Sequence, residues 1–345
     1  MKIKYFDRAI EVLFLAAMFF IPIIFDRRIG IVFSGTKSAF LRLIIIIIAL
    51  IWTAKLLLGG KHIFRRTPLD WPVVAYLFVI GAATINSVHP VISFWGFYGR
   101  YEGCTTWLCL GALFFVTTNY FPGIANIKRI AAIIQPVAVI MAVYGVIQRY
   151  LLDPYAWGGV VTSERIIATI GQPNFLAAYV IMAFYLALYF VLEPAPEAAR
   201  PAAEKHHEKT SKAKPKAAPG MDRYLDLLPL LYFILVPVLF VVTIFTQSGI
   251  NIFLWYLLFL AMTVFACLFA YTYDRLPKPV LELLMMFCLV MSYLCLFYTQ
   301  SRGGFIGFAV GAAIFLFVVP KDLLFSNWKK LVALGAVMLI IAYLA

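Results

Sequence analysis

The feature that most limits this chain is the recurrence of apolar runs about 20 residues long, each enough to cross a hydrocarbon core of roughly 30 Å as a helix. They fall near residues 9–25, 39–58, 71–88, 104–121, 129–150, 173–192, 225–246, 250–272, 279–299, 303–320 and 329–345. That length fits helices and is too long for membrane strands. With 64% hydrophobic residues, 13% charged residues and a mean hydropathy of +0.94, the composition excludes a water-soluble globular domain. The expected fold class is all-α, a polytopic transmembrane helix bundle of ten or eleven spans.

Lys2, Lys4 and Arg8 precede the first run in the manner of a signal peptide, but Phe19-Phe20-Ile21-Pro22 offers no small-residue cleavage site, so this helix is read as retained. The five cysteines lie in or beside spans, without CxxC spacing or neighbouring histidines. They read as packing thiols, with no metal site.

With the N-terminus in the cytoplasm, the inside loops hold 21 of the 29 Lys and Arg residues, as the positive-inside rule requires. The net charge of +13 then reports topology rather than nucleic-acid binding. Residues 193–224 are rich in Pro, Ala, Lys and Glu and read as a disordered cytoplasmic linker between an N-terminal helix group, 1–192, and a C-terminal group, 225–345. His206 and His207 within it read as solvated loop residues. The chain stops inside a hydrophobic helix that begins near Trp328, so the C-terminal group is expected to be truncated.

Because positive charge is kept inside, the arginines left on the outer face need a separate explanation. Three lie in unusual local sequence. Ser93–Gly103 combines aromatics and three glycines with Arg100, Tyr101 and Glu102, and reads either as an interfacial aromatic belt with a turn or as a binding loop. Thr162–Ala177 carries Arg165 ahead of Gly171-Gln172-Pro173-Asn174, where the glycine permits a tight turn and the proline starts a helix whose N-terminus favours an anion. Thr299-Gln-Ser301-Arg302-Gly-Gly304 opens a helix with Gly303, Gly307 and Gly311 at four-residue spacing, a ladder that admits a close helix neighbour. A single arginine at a membrane edge is a snorkelling or capping residue; three on one face beside turn chemistry read as a converging anion site. Guanidinium holds phosphate through paired hydrogen bonds that lysine cannot copy.

In Gly99-Arg-Tyr-Glu-Gly103, Ala168-Thr-Ile-Gly-Gln-Pro-Asn-Phe-Leu-Ala177 and Thr299-Gln-Ser-Arg-Gly-Gly304 the chain resembles the O-antigen ligase and polysaccharide polymerase superfamily. The likeness runs from about residue 70 to the end. It implies a metal-independent GT-C type glycosyltransferase of the cell envelope, without cofactor. Such an enzyme moves a glycan from an undecaprenyl-diphosphate-linked donor to a hydroxyl of a glycan, lipid A-core or protein acceptor, on the outer face of the bacterial inner membrane. The resemblance implies catalytic roles for Arg165 and Arg302, which would hold the donor diphosphate and stabilise it as a leaving group. It implies substrate contacts for Arg100, Tyr101, Glu102, Gln172, Asn174 and Ser301. Relatives commonly have Asn-Pro-Asn where this chain has Gln172-Pro173-Asn174, and they carry a later external loop with an acceptor-activating His that is not present here. His89, Glu102 and Glu164 are the candidate general bases within the chain.

The rival reading is a transporter or flippase of the same lipid-linked glycan, for which mid-membrane charges and an internal repeat would be expected. A non-catalytic lipid-binding scaffold is a third. There is no GxxxxGK[ST] loop for a nucleotide, and the partners implied are membrane lipid and glycan, not nucleic acid.

Overall fold

A computed structural model describes residues 3–58, 64–157, 161–193, 226–246 and 252–344. The expected linker thus lies, apart from Glu193, outside the described residues. Among the described residues there is no strand. The helices are α1 (Ile3–Ile23), α2 (Ser34–Leu57), α3 (Asp70–Ile85), α4 (Pro90–Trp95), α5 (Cys104–Tyr120), α6 (Ile124–Arg149), α7 (Pro173–Leu192), α8 (Leu228–Thr246), α9 (Ile252–Thr272), α10 (Lys278–Tyr298), α11 (Arg302–Val318), α12 (Lys321–Ser326) and α13 (Trp328–Leu344). Each expected span coincides with one of them, and α4 and α12 are short additions. Six stretches are long and apolar enough to cross a membrane: α2, α6, α7, α8, Ile252–Arg275 and α10. The chain is an all-helical, multi-pass membrane protein.

The helices form two compact units. The first comprises Met1–Val137, Thr169–Gly171 and Thr246–Ala270, and the second Ala138–Ala168, Gln172–Phe245 and Tyr271–Ala345.

In the first unit α1 and α2 pack side by side, with both ends of the pair tied. Lys55, in the last turn of α2, is almost wholly buried and meets Asp7 at 2.6 Å, with its ammonium over the Tyr120 ring. A cation there also lies against the free carbonyls of a helix C-terminus. At the other end Lys37 Nζ donates to the Pro22 carbonyl, which Thr169 Oγ1 reaches too, at 3.0 Å. Between them an aromatic seam of Phe20, Phe40 and Phe259, and of Phe25 and Trp255, fills the interior. Lys55, one of the 21 basic residues counted to the inside loops, is therefore built into the core.

In the second unit α7 packs along both α10 and α11. The close approach to α11 is made by Gly304, where an added Cβ would stand 2.8 Å from Ala177 Cβ, and by Gly311, where it would stand 2.6 Å from the Tyr185 ring. Gly303 faces no neighbour within 4 Å. The ladder expected at Gly303, Gly307 and Gly311 is thus displaced at its first rung. Steps of three and four residues from Gly304 stay on one helical face, as 3.6 residues per turn requires. Lys330 meets Glu282 at 2.8 Å and Lys278 Nζ donates to the Glu193 carbonyl, pinning the far end of this group. The five cysteines are buried and unpaired.

Candidate functional site

Both helices that carry the site in the second unit begin as their sequences dictate. Gln172, in extended backbone, accepts from Phe175 N at 2.9 Å and places Pro173 at the first helical position of α7. Ser301 does the same for α11, its hydroxyl oxygen accepting from Gly304 N at 3.1 Å. The two caps meet: Ser301 Oγ donates to Asn174 Oδ1 at 2.9 Å.

Arg165 closes the cluster. Its Nε donates to the Thr299 carbonyl at 3.2 Å and its Nη2 to Asn174 Oδ1 at 3.3 Å. Two of its five N–H groups are so engaged, leaving three to spare. Arg302, exposed at the first position of α11, makes no hydrogen bond or ion pair among the described residues. Asn174, Ser301, Gly303 and Gly304 line one end of a cavity of about 510 Å³, and Ala178, Ile181, Met182 and Gly307 continue it along α7 and α11. No carboxylate lines it. Arg165, bonded to Asn174 at one end of the cavity, puts positive charge beside an apolar stretch of Ala178, Ile181 and Met182, which suits an anion that carries an apolar chain.

The loop bearing Arg165 is fixed from two directions. Val161 O accepts from Glu164 N and Arg165 N, and Ile166 N donates to the Tyr298 carbonyl at 3.2 Å. Gln148, fully buried, accepts from Ile167 N at 3.1 Å and Ala168 N at 2.8 Å through one Oε1, which lets Ala168 take a positive φ of 43°. Arg149 donates to the Ser163 carbonyl and lies 5.4 Å from the centre of the Tyr298 ring. Gln148, Arg149 and Tyr298 were not among the candidate residues. The sequence shows a polar pair closing an apolar helix, but nothing in it gives their partners.

Arg100, Tyr101 and Glu102 belong to the first unit and are placed there by a pinned loop. Arg42 Nη2 donates to the Trp95 carbonyl at 3.0 Å, Thr106 Oγ1 to the Tyr101 carbonyl at 2.6 Å, and Ser34 Oγ to the Gly99 carbonyl. Gly96 has a φ of 94°, and a Cβ on it would stand 2.5 Å from the Tyr101 carbonyl carbon, so only glycine fits. Arg100 and Glu102 are exposed, as are Phe97 and Tyr98. Of the candidate bases, His89 and Glu102 lie in this unit, and Glu164 is exposed beside Arg165 in the other.

Fold and site together define a multi-pass helical membrane protein with a cavity that no carboxylate lines, next to Arg165 and Arg302 at the joined starts of α7 and α11. No family model matches the chain, and neither a curated protein nor a solved structure matches it.

Proposed function

We propose that this chain is a membrane glycosyltransferase of the O-antigen ligase or polymerase type. It takes a glycan from an undecaprenyl-diphosphate-linked donor and transfers it to an acceptor hydroxyl on the outer face of a bacterial inner membrane, with its N-terminus in the cytoplasm. The observation that carries this reading is the placing of Arg165 and Arg302, with Asn174 and Ser301 holding the joined first turns of α7 and α11, beside a cavity without a carboxylate. A diphosphate offers many acceptor oxygens to such a cluster, and forked guanidinium contacts are strongest to charged oxygens. The apolar continuation past Ala178, Ile181 and Met182 suits the first units of a prenyl chain.

In this reading Arg165 and Arg302 hold the diphosphate and stabilise the charge that develops on it, so no metal is needed for that step. Asn174 and Ser301 orient Arg165, and Gln172 fixes the turn that presents Asn174. Arg100, Tyr101 and Glu102 serve substrate from their own loop.

The test uses the full chain in proteoliposomes holding a labelled lipid-linked glycan and an acceptor. Transfer of label to the acceptor is the expected result. Label that changes leaflet without changing its attachment would replace the reading with a flippase.

A further inference from the structure

The first unit holds another cavity, of about 230 Å³, in the wedge between α1, α2 and α5. Its wall is apolar: Ile10 of α1, Ile45, Ala49 and Trp52 of α2, and Ala112 and Val116 of α5. Ala49 and Ala112 bring one methyl group each, which leaves the gap. Ala49 is exposed, so the gap is open along α2. Only one end is polar. Phe64, Asn119 and Tyr120 close the cavity where α5 finishes, the end at which Lys55 meets Asp7 and sets its ammonium over the Tyr120 ring.

Asn119 is spent on holding backbone: its Oδ1 accepts from Arg65 N at 2.9 Å and its Nδ2 donates to the Phe115 carbonyl at 2.8 Å. Arg65 is thereby pinned directly after Phe64 at the polar end of the cavity. Its side chain is exposed and makes no hydrogen bond or ion pair among the described residues. Arg66, also exposed, shares the field of Asp70, whose carboxylate accepts from Thr67. No carboxylate lines the cavity.

We propose that this cavity holds one acyl chain of an anionic phospholipid whose phosphate meets Arg65. The volume is below the roughly 300 to 1,000 Å³ of pockets that enclose a drug-sized molecule, so it takes a narrow chain and leaves the headgroup outside. The apolar wall receives methylenes, and the free guanidinium stands at the one end where the wall turns polar. Basic side chains at the end of a gap between spans are the chemistry that holds anionic headgroups. Phosphatidylcholine carries its own cation beside its phosphate and has no net charge for Arg65, whereas phosphatidylglycerol keeps one negative charge. In the orientation proposed above, this end lies in the cytoplasmic leaflet, whose surface is anionic. The lipid site holds whether the α7–α11 cavity serves transfer or flipping.

The test is native mass spectrometry of the full chain in mild detergent, with phosphatidylglycerol and phosphatidylcholine of matched chains added in equal amounts. Wild type should retain one phosphatidylglycerol, preferred at least fivefold. Arg65→Gln should lower that retention about fivefold, the scale of one basic residue at a lipid surface, and leave phosphatidylcholine unchanged. Arg65→Lys, which keeps the charge, should keep most of the preference. Ala49→Phe, which fills the gap, should reduce both lipids; Ala49→Leu serves the same purpose if the larger variant melts early. Equal retention of the two lipids by wild type would overturn the proposal. So would phosphatidylglycerol retained at the wild-type level by a folded Ala49→Phe protein, which would place the headgroup on a basic surface without the cavity. Displacement of the lipid by an equal concentration of glycerol 3-phosphate, a head without a chain, would overturn it as well.

Discussion

The hydroxyl of Ser301 donates to the side-chain carbonyl of Asn174 at 2.9 Å, joining the first turns of two helices whose contacting residues are 127 positions apart. The same Asn174 oxygen takes a hydrogen bond from Arg165, so one amide links both helix starts and the guanidinium. Asn174→Asp keeps both acceptor positions and adds a negative charge beside Arg165. It should preserve the melting temperature or raise it slightly, yet cut glycan transfer at least tenfold, because the new carboxylate occupies the place of the anion. Unchanged transfer by a folded Asn174→Asp protein would remove Arg165 from the site.

Ser301→Ala removes both the cap of α11 and the link to Asn174. A loss of about 1 to 2 kcal/mol is expected, the usual worth of an N-cap with one further hydrogen bond. Ser301→Thr should restore most of it. Thermal unfolding of the detergent-solubilised protein measures both.

The two adjacent glycines of α11 separate packing from propensity. Gly304→Ala forces a Cβ into the Ala177 Cβ at 2.8 Å and should destabilise the protein by about 1 to 3 kcal/mol, the usual scale of overpacking. Gly303→Ala meets nothing within 4 Å and should be neutral or stabilising, since alanine is the better helix former. Equal effects at the two positions would contradict the helix face assigned here.

Lys55 and Asp7 form the buried end of the α1–α2 pair. Lys55→Met alone leaves Asp7 without its cation, and Asp7→Asn alone leaves a buried ammonium, the costlier case at about 3 to 5 kcal/mol. The double variant should recover much of the loss. Melting temperatures of the three variants form the cycle that measures the coupling.

Much of the fold was legible because the length of an apolar run is dictated by the thickness of a bilayer. Helix starts were legible where local chemistry marks them, at Pro173 after Gln172 and at Arg302 after Ser301. The packing face of α11 was not, since a four-residue spacing of glycines and the true face diverge within one turn: Gly303 was expected to make the contact that Gly304 makes. Lys55 was counted among loop charges because its partner Asp7 is 48 residues away. Within the site, the sequence pointed to Arg165 and Arg302 as converging, but not to the contacts that would bring them together. That Arg165 reaches Thr299, across 134 residues, depends on how α6, α7 and α10 come together. For the same reason Gln148 and Arg149 passed as the polar end of a span, although they anchor the loop that carries Arg165.

The proposed orientation, with the N-terminus in the cytoplasm, rests on the charge asymmetry of the sequence. A cysteine introduced at Ser211 should be shielded from a membrane-impermeant thiol reagent in intact cells and react only after lysis. Prompt labelling of intact cells would invert the proposed topology and move Arg165, Arg302 and the cavity beside them to the cytoplasmic face.

Transfer of a labelled glycan by the full-length protein carrying Arg165→Lys or Arg302→Lys, each compared with wild type at matched expression, tests the central claim most directly. Each variant keeps the positive charge and loses the forked contact, so the rate should fall roughly ten- to a hundredfold, equivalent to about 1.5 to 3 kcal/mol, while the protein stays folded in the membrane. Wild-type rates in both variants would contradict the account.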